Sequence, residues 1–161
     1  MTSSGGKIDH ETISQMHYLE AAINESLRIN GPVTDSVRLC VKDCEVQGIK
    51  FRKGTRILMP TWPSHHSEEF FPEPEKFLPE RFLKENASSI VPFTFRAFGG
   101  GNRVCIAQRF AMNEIKICMA RLLNRFRLEM APETRLEFEK GSFFLLNFND
   151  VKIKFVQRQK N

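Results

Sequence analysis

Six of the chain's eight prolines fall between Pro60 and Pro92, at Pro60, Pro63, Pro72, Pro74, Pro79 and Pro92. Proline locks φ and has no N–H to donate, so no long helix or interior strand runs through this stretch. It reads as an irregular segment held in place by its surroundings, with one short helix near His66–Phe70. Longer regular elements must lie on either side.

On the N-terminal side, Met16, Leu19, Ile23 and Leu27 recur at steps of three and four, which predicts an amphipathic helix from about Ser14 to Ile29. Asn30-Gly31-Pro32 stops it. Residues 37–59 read as short strands, with turns at Gly48 and Lys53-Gly54 and with Thr55, Ile57 and Met59 alternating on one face. On the C-terminal side, a loop at Gly99–Gly101 leads into a second helix, from about Cys105 to Phe126. Its apolar stripe is Phe110, Ala111, Ile115, Cys118, Leu122 and Phe126. The tail reads as a β-hairpin turning at Asn149-Asp150, with Val151, Ile153 and Phe155 alternating. Residues 1–12 are polar and read as a disordered start.

A chain of 161 residues with 41% apolar and 27% charged residues fits one folded domain and excludes disordered, collagen-like and coiled-coil classes. No apolar run approaches the roughly 18 residues of a membrane span, and MTSSGGKIDH is no signal peptide. Four cysteines without a secretory signal read as reduced thiols. Fifteen Phe against one Tyr and one Trp point to dry interior packing. The fold class expected is mainly α with small β-sheets (α+β).

Charge is divided along the chain. Arg96, Arg103, Arg109, Lys116, Arg121, Arg125 and Arg127 face a single acid, Glu114, across residues 96–127, while residues 68–85 carry six acids against three bases. One basic face is expected, either a solvated helix surface or a site for an acidic protein. No zinc spacing, recognition helix or aromatic-basic interleaving accompanies it, so nucleic acid is not the partner expected.

Phe98-Gly99-Gly100-Gly101-Asn102-Arg103-Val104-Cys105 brings a cysteine to the entrance of the second helix. Free backbone N–H groups and the helix dipole favour thiolate there, the form that ligates metal or attacks an electrophile. An inert cysteine at a helix start is the alternative. A phosphate loop fails, because no Lys-Ser or Lys-Thr follows the glycines.

The run FGGGNRVCIA resembles the haem-binding loop of the cytochrome P-450 family of haem-thiolate monooxygenases, Phe-x-x-Gly-x-Arg-x-Cys-x-Gly, with Phe98, Gly101, Arg103 and Cys105 in place. Ala107 stands where the pattern ends in Gly, and Ala97 where many members have Pro. Glu25-Ser26-Leu27-Arg28 is similar to the family's Glu-x-x-Arg motif, and Pro79-Glu80-Arg81-Phe82, within PEKFLPERF, to its second arginine motif. Three motifs in the right order are far more specific than one. The resemblance runs from about Met16 to the end and is greatest to the microsomal drug- and steroid-oxidising clan.

The resemblance implies the C-terminal, cysteine side of that fold, a single partial domain over 1–161 without the N-terminal anchor or the central oxygen-side helix. It implies haem b (heme b, iron protoporphyrin IX) with Cys105 as the axial thiolate, tuned by backbone N–H groups just beyond it. Phe98, Gly101 and Ala107 would pack against the haem, and Arg38 and Arg103 would pair with its propionates. Glu25, Arg28 and Arg81 would form a buried triad locking the irregular segment around the loop. Val33, Thr34, Asp35, Ser36 and Val37, with Ser142, Phe143 and Phe144 in the Gly141–Phe144 turn, would line a pocket for a small apolar substrate. One oxygen atom of O2 would be inserted there, with electrons from an acidic reductase docked on the basic face. Full-length members sit on the cytosolic side of the endoplasmic reticulum membrane through the anchor. This length alone is expected to be inactive and to hold haem loosely at best, and the competing reading is a truncated, inactive fragment acting through its basic surface.

The remaining candidates are weaker. Cys40 and Cys44 with His65 and His66 fit zinc spacing poorly, Cys118 reads as core, and Trp62 as a packing residue.

Overall fold

In the computed structural model, which describes residues 10–140 and 145–159, the chain is mixed α and β, as its periodicities predict. Helix α1 (His10–Ser14) is a single turn. It takes in the last residues of the stretch expected to be disordered, because Ile13 is buried. Helix α2 (His17–Asn30) follows after a break at Gln15-Met16 and buries Ala21, Ile23, Glu25 and Arg28. Of the apolar stripe read from the sequence only Ile23 is fully buried, and the rest of the buried face is Ala21 and an ion pair.

Gly31 ends α2 in an extended conformation, φ −59° and ψ 135°, not the left-handed one that helix-ending glycines often adopt. Its lack of a side chain matters for space, since a Cβ there would lie 2.4 Å from the Leu27 carbonyl oxygen.

Strand β1 (Asp35–Leu39) pairs antiparallel with β4 (Arg56–Pro60), Asp35 opposite Pro60 and Leu39 opposite Arg56. Between them β2 (Cys44–Val46) and β3 (Ile49–Phe51) make a separate hairpin. Its turn residues Gln47 and Gly48 both have positive φ, 50° and 78°, the backbone twist that two-residue hairpins favour.

Helix α3 spans Thr61–His65, one turn earlier than the helix expected at His66–Phe70. The N–H groups of Thr61 and Trp62 both bond to the Thr34 carbonyl, so the helix starts where β1 begins. The proline-rich stretch then runs through turns and two 3-10 segments, Pro79–Phe82 and Ala87–Ser89. The first of these packs along α2.

Helix α4 (Gln108–Arg125) passes directly into β5 (Phe126–Met130). The tail differs from the expected hairpin. Strand β6 (Glu137–Phe138) pairs with β7 (Phe148–Asn149), while β8 (Ile153–Gln157) turns away and pairs with β5 over five positions, from Phe126 opposite Gln157 to Met130 opposite Ile153. Asp150 does turn the chain, with φ 47°. The longer β5 offers more backbone partners, and Phe126 meets Phe155 edge-on at 5.7 Å.

The interior is an aromatic cluster around His65, with Phe71 edge-on, Phe95 stacked at 5.2 Å, and Phe82 against Phe95 at 4.7 Å. The phenylalanine-rich composition is not all interior, however. Phe110 is 71% exposed and Cys118 is exposed rather than core, because among the described residues no element covers that side of α4. Trp62 does pack, stacking on His66 at 3.9 Å and meeting Phe138 edge-on.

Candidate functional site

Glu25 and Arg28 lie one helical turn apart, so α2 presents both on one face. Both side chains are 0% exposed. The pair is bidentate, Arg28 Nε donating to Glu25 Oε2 at 2.8 Å and Nη2 to Oε1 at 2.9 Å. A buried ion pair is tolerable only when its remaining donors and acceptors are satisfied. Here they are: Arg28 Nη1 donates to the His65 carbonyl at 2.7 Å and Nη2 to the Pro74 carbonyl at 2.7 Å, while Glu25 Oε1 accepts the Leu78 N–H at 2.9 Å. Arg28 also lies over the Phe71 ring, 5.3 Å from its centroid.

Arg81 joins from the 3-10 segment, its Nε 3.4 Å from Glu25 Oε1 and its Nη2 donating to the Glu73 carbonyl at 2.9 Å. Glu25, Arg28 and Arg81 thus meet, but unequally. Arg81 is partly exposed and makes the longer contact.

His65 extends this cluster, a role the sequence reading missed. The Arg96 N–H donates to His65 Nε2 at 2.9 Å, so the ring proton sits on Nδ1, which donates to the Arg28 carbonyl at 3.2 Å. Burial, opposed in part by the Arg28 carbonyl, lowers the His65 pKa to about 4, and the ring stays neutral. Both ring nitrogens are used, so His65 has none to give a metal. No group of three His, Cys, Asp or Glu suited to a metal occurs among the described residues.

Arg96 stands three residues before Gly99, the first glycine of the loop. Its guanidinium reaches back to the Pro60 carbonyl at 2.6 Å and to Ser64 Oγ at 3.3 Å, which removes it from the basic face. Lys116 leaves that face too, buried and ion-paired with Glu20. Arg103, Arg109, Arg121, Arg125 and Arg127 remain exposed.

Beyond Arg96 the loop folds on itself. The Gly99 N–H bonds to the Arg96 carbonyl at 2.9 Å, and the Cys105 N–H to the Phe98 carbonyl at 2.8 Å. Gly99 and Gly101 have φ of 79° and 64°, the left-handed region where a side chain is strained. A 3-10 turn, Gly101–Arg103, brings the chain to Cys105. The cysteine is exposed and stands before the helix rather than in it, since α4 starts at Gln108 with Ala107 as its cap. Among the described residues no hydrogen bond ends on its sulfur, and of the backbone N–H groups just beyond it that of Gln108 bonds to the Cys105 carbonyl at 3.2 Å. Phe98 is half-buried, and Ile106 beside the thiol is fully exposed.

Arg38 lies on β1, half-buried, donating to the Val37 carbonyl at 3.0 Å. Among the described residues neither Arg38 nor Arg103 forms an ion pair with a carboxylate. Val33 is bridged to Leu145, and the Leu146 N–H bonds to the Pro32 carbonyl at 2.8 Å. The start of the 33–37 segment therefore lies beside the tail. Ser142, Phe143 and Phe144 lie outside the described residues.

A family model described as Cytochrome P450 matches residues 2–155. The chain is similar to Cytochrome P450 3A16 of Mus musculus, 37% identical over 151 residues, 92% of this chain and 30% of that protein. It is similar to Cytochrome P450 3A27 of Oncorhynchus mykiss, 40% identical over 139 residues, 86% of this chain and 27% of that protein. Against Cytochrome P450 3A19 of Capra hircus aegagrus it is 39% identical over 127 residues, 79% of this chain and 58% of that protein. It spans less than two thirds of the length of each of these relatives. With nearly all of its length matched by one family, and members of that family more than a third identical to it, the chain belongs to the cytochrome P450 family.

Proposed function

We propose that this chain is the haem-holding, cysteine-side part of a haem-thiolate monooxygenase, with Cys105 as the iron ligand. One observation carries the reading. An unbroken line of hydrogen bonds runs from Glu25 through Arg28 and His65 to the backbone of Arg96, at the root of a glycine loop that ends in an exposed thiol. Such a line orders a loop that would otherwise lose its geometry to conformational entropy.

The residues fit the group. A flat ring system needs a close backbone approach, and Gly99, Gly100 and Gly101 provide it without Cβ atoms. It needs an apolar seat beside the ligand, which Phe98 and Ile106 offer. Its two propionates need cations that no protein carboxylate has claimed, and among the described residues Arg38 and Arg103 are such cations. Iron already held by four ring nitrogens needs one protein donor, and Cys105 gives one.

Bound haem supplies the iron chemistry by which one oxygen atom of O2 enters an apolar substrate. This chain's part is to hold the ring, to orient Cys105, and to keep Glu25, Arg28 and His65 dry behind the loop. Val33–Val37, with the neighbouring tail, supports a pocket rim. Arg109, Arg121, Arg125 and Arg127 support docking of an acidic reductase. No described helix is long and apolar enough to cross a membrane, and residence at the endoplasmic reticulum membrane is proposed from the resemblance to microsomal members.

Cys105→Ser in the haem-loaded protein tests the ligand, because a neutral hydroxyl donates far less electron density than a thiolate. The absorption band characteristic of thiolate ligation in the reduced carbon monoxide complex should disappear. Its persistence would remove Cys105 from the iron.

A further inference from the structure

Cys40 and Cys44 lie with their sulfurs 3.7 Å apart. The contact is held from both ends. Cys40 closes the β1–β4 ladder, its N–H bonded to the Thr55 carbonyl at 2.9 Å and its carbonyl to the Gly54 N–H at 2.7 Å. Cys44 opens β2 opposite Phe51, and between the two the Asp43 carboxylate accepts the Lys53 N–H at 2.7 Å. Two ladders and an anchored loop therefore set the sulfurs against each other.

The two thiols are not equivalent. Cys40 is 8% exposed and Cys44 is open to solvent. The Cys40 S–H donates to the Lys42 carbonyl, so the thiol proton between the sulfurs belongs to Cys44. An accessible thiol in contact with a shielded one is the arrangement for stepwise thiol–disulfide exchange.

We propose that Cys40 and Cys44 are a modification site, a dithiol that a small organic disulfide such as glutathione disulfide converts to a Cys40–Cys44 disulfide. Cys44, as thiolate, attacks one sulfur of glutathione disulfide. That S–S bond breaks, and one glutathione leaves and takes up the proton Cys44 lost. Cys40, as thiolate, then attacks the Cys44 sulfur, and the second glutathione leaves with the proton from Cys40. Two protein thiols are oxidised by two electrons and one glutathione disulfide is reduced to two glutathiones. Closure to a bond length of about 2 Å asks mainly for movement of the exposed Cys44 side chain. The Cys40 hydrogen bond holds the Cys44 thiol above its ordinary pKa, so Cys44 rests protonated near neutral pH and must lose its proton to attack. The new bond would tie the β1–β4 ladder, which carries Arg38, to the β2–β3 hairpin. The site is independent of the haem reading and stands or falls separately from it.

The test treats the 161-residue chain with glutathione disulfide at several glutathione ratios, in buffer and in urea. Remaining thiols are blocked with N-ethylmaleimide before trypsin digestion. Cleavage after Arg38, Lys42 and Lys50 puts Cys40 in peptide 39–42 and Cys44 in peptide 43–50, so the disulfide appears as one mass joining the two. The joined mass should form several-fold more readily in buffer than in urea, and Cys40→Ser should trap glutathione on Cys44. Equal yields in buffer and urea would overturn the proposal, as would a wild-type chain holding glutathione on Cys44 while Cys40 is found blocked by maleimide. Pairing of Cys44 with Cys105 or Cys118 in buffer would overturn it too.

Discussion

The backbone N–H of Arg96 donates to His65 Nε2 at 2.9 Å, across thirty-one residues of sequence, while the other nitrogen of the same ring reaches the Arg28 carbonyl. Arg28 answers with its guanidinium on the His65 carbonyl at 2.7 Å. One neutral imidazole therefore fastens the buried ion pair of α2 to the segment from which the cysteine loop springs. Three predictions test this network and a fourth the end of the helix that carries it.

His65→Phe keeps a ring against Phe95 but removes both hydrogen bonds. The Arg96 N–H and Arg28 carbonyl would be left buried without partners, each at about 1–3 kcal/mol. Urea unfolding should show a loss of about 2–4 kcal/mol. An unchanged midpoint would mean that the bridge carries no stability.

Stability should fall in acid, through this ring. The folded chain holds His65 neutral down to about pH 4, against an ordinary value of 6.5. Between those values the unfolded chain binds the proton and the folded chain does not, so stability is full above pH 6.5 and is lost as pH falls toward 4. The ring contributes about 3 kcal/mol to that slope. Thermal melts across the window should show the slope in wild type and a flatter one in His65→Phe.

Arg28→Ala should cost far more than Arg81→Ala. Removing Arg28 leaves Glu25 with one distant guanidinium and the Leu78 N–H, and orphans the His65 and Pro74 carbonyls, a loss of about 3–5 kcal/mol. Arg81 is partly solvated and 3.4 Å from Glu25, and its removal should cost about 1 kcal/mol. Melting temperatures of the two variants rank them, and equal losses would show that the triad shares its load evenly.

Gly31→Ala places a Cβ 2.4 Å from the Leu27 carbonyl oxygen, a backbone atom that cannot swing aside. The end of α2 must shift, at about 1–3 kcal/mol. Gly48→Ala is the control. A Cβ there meets no atom within 4 Å, and only the positive φ of 78° costs anything, about 1 kcal/mol.

Much of the site could be read from the chain because its parts are local. A three-residue step on a helix puts Glu25 beside Arg28 whatever else the chain does, and consecutive glycines before Cys105 permit a tight loop that residues with a Cβ would strain. The strands of residues 35–60 were legible for the same reason, since alternation and turn residues act over a few positions. The tail was not. Alternating Val151, Ile153 and Phe155 announce a strand but not its partner, and β8 chose β5 because that strand is longer and already fixed by α4.

The sequence alone therefore determined the two long helices, the proline-bound irregular stretch, the motif order and with it the family. Only the tertiary structure decided which charges are buried. Arg96 and Lys116 read as surface bases, yet one is spent on the Pro60 carbonyl and the other on Glu20. His65 carried no role in the sequence beyond a zinc spacing that fits poorly, yet it joins α2 to Arg96. A side chain's pattern records its own helix or strand, whereas the carbonyls and N–H groups that satisfy the buried charges of Glu25 and Arg28 come from residues 37 to 53 positions away, and nothing but folding brings them within 3 Å.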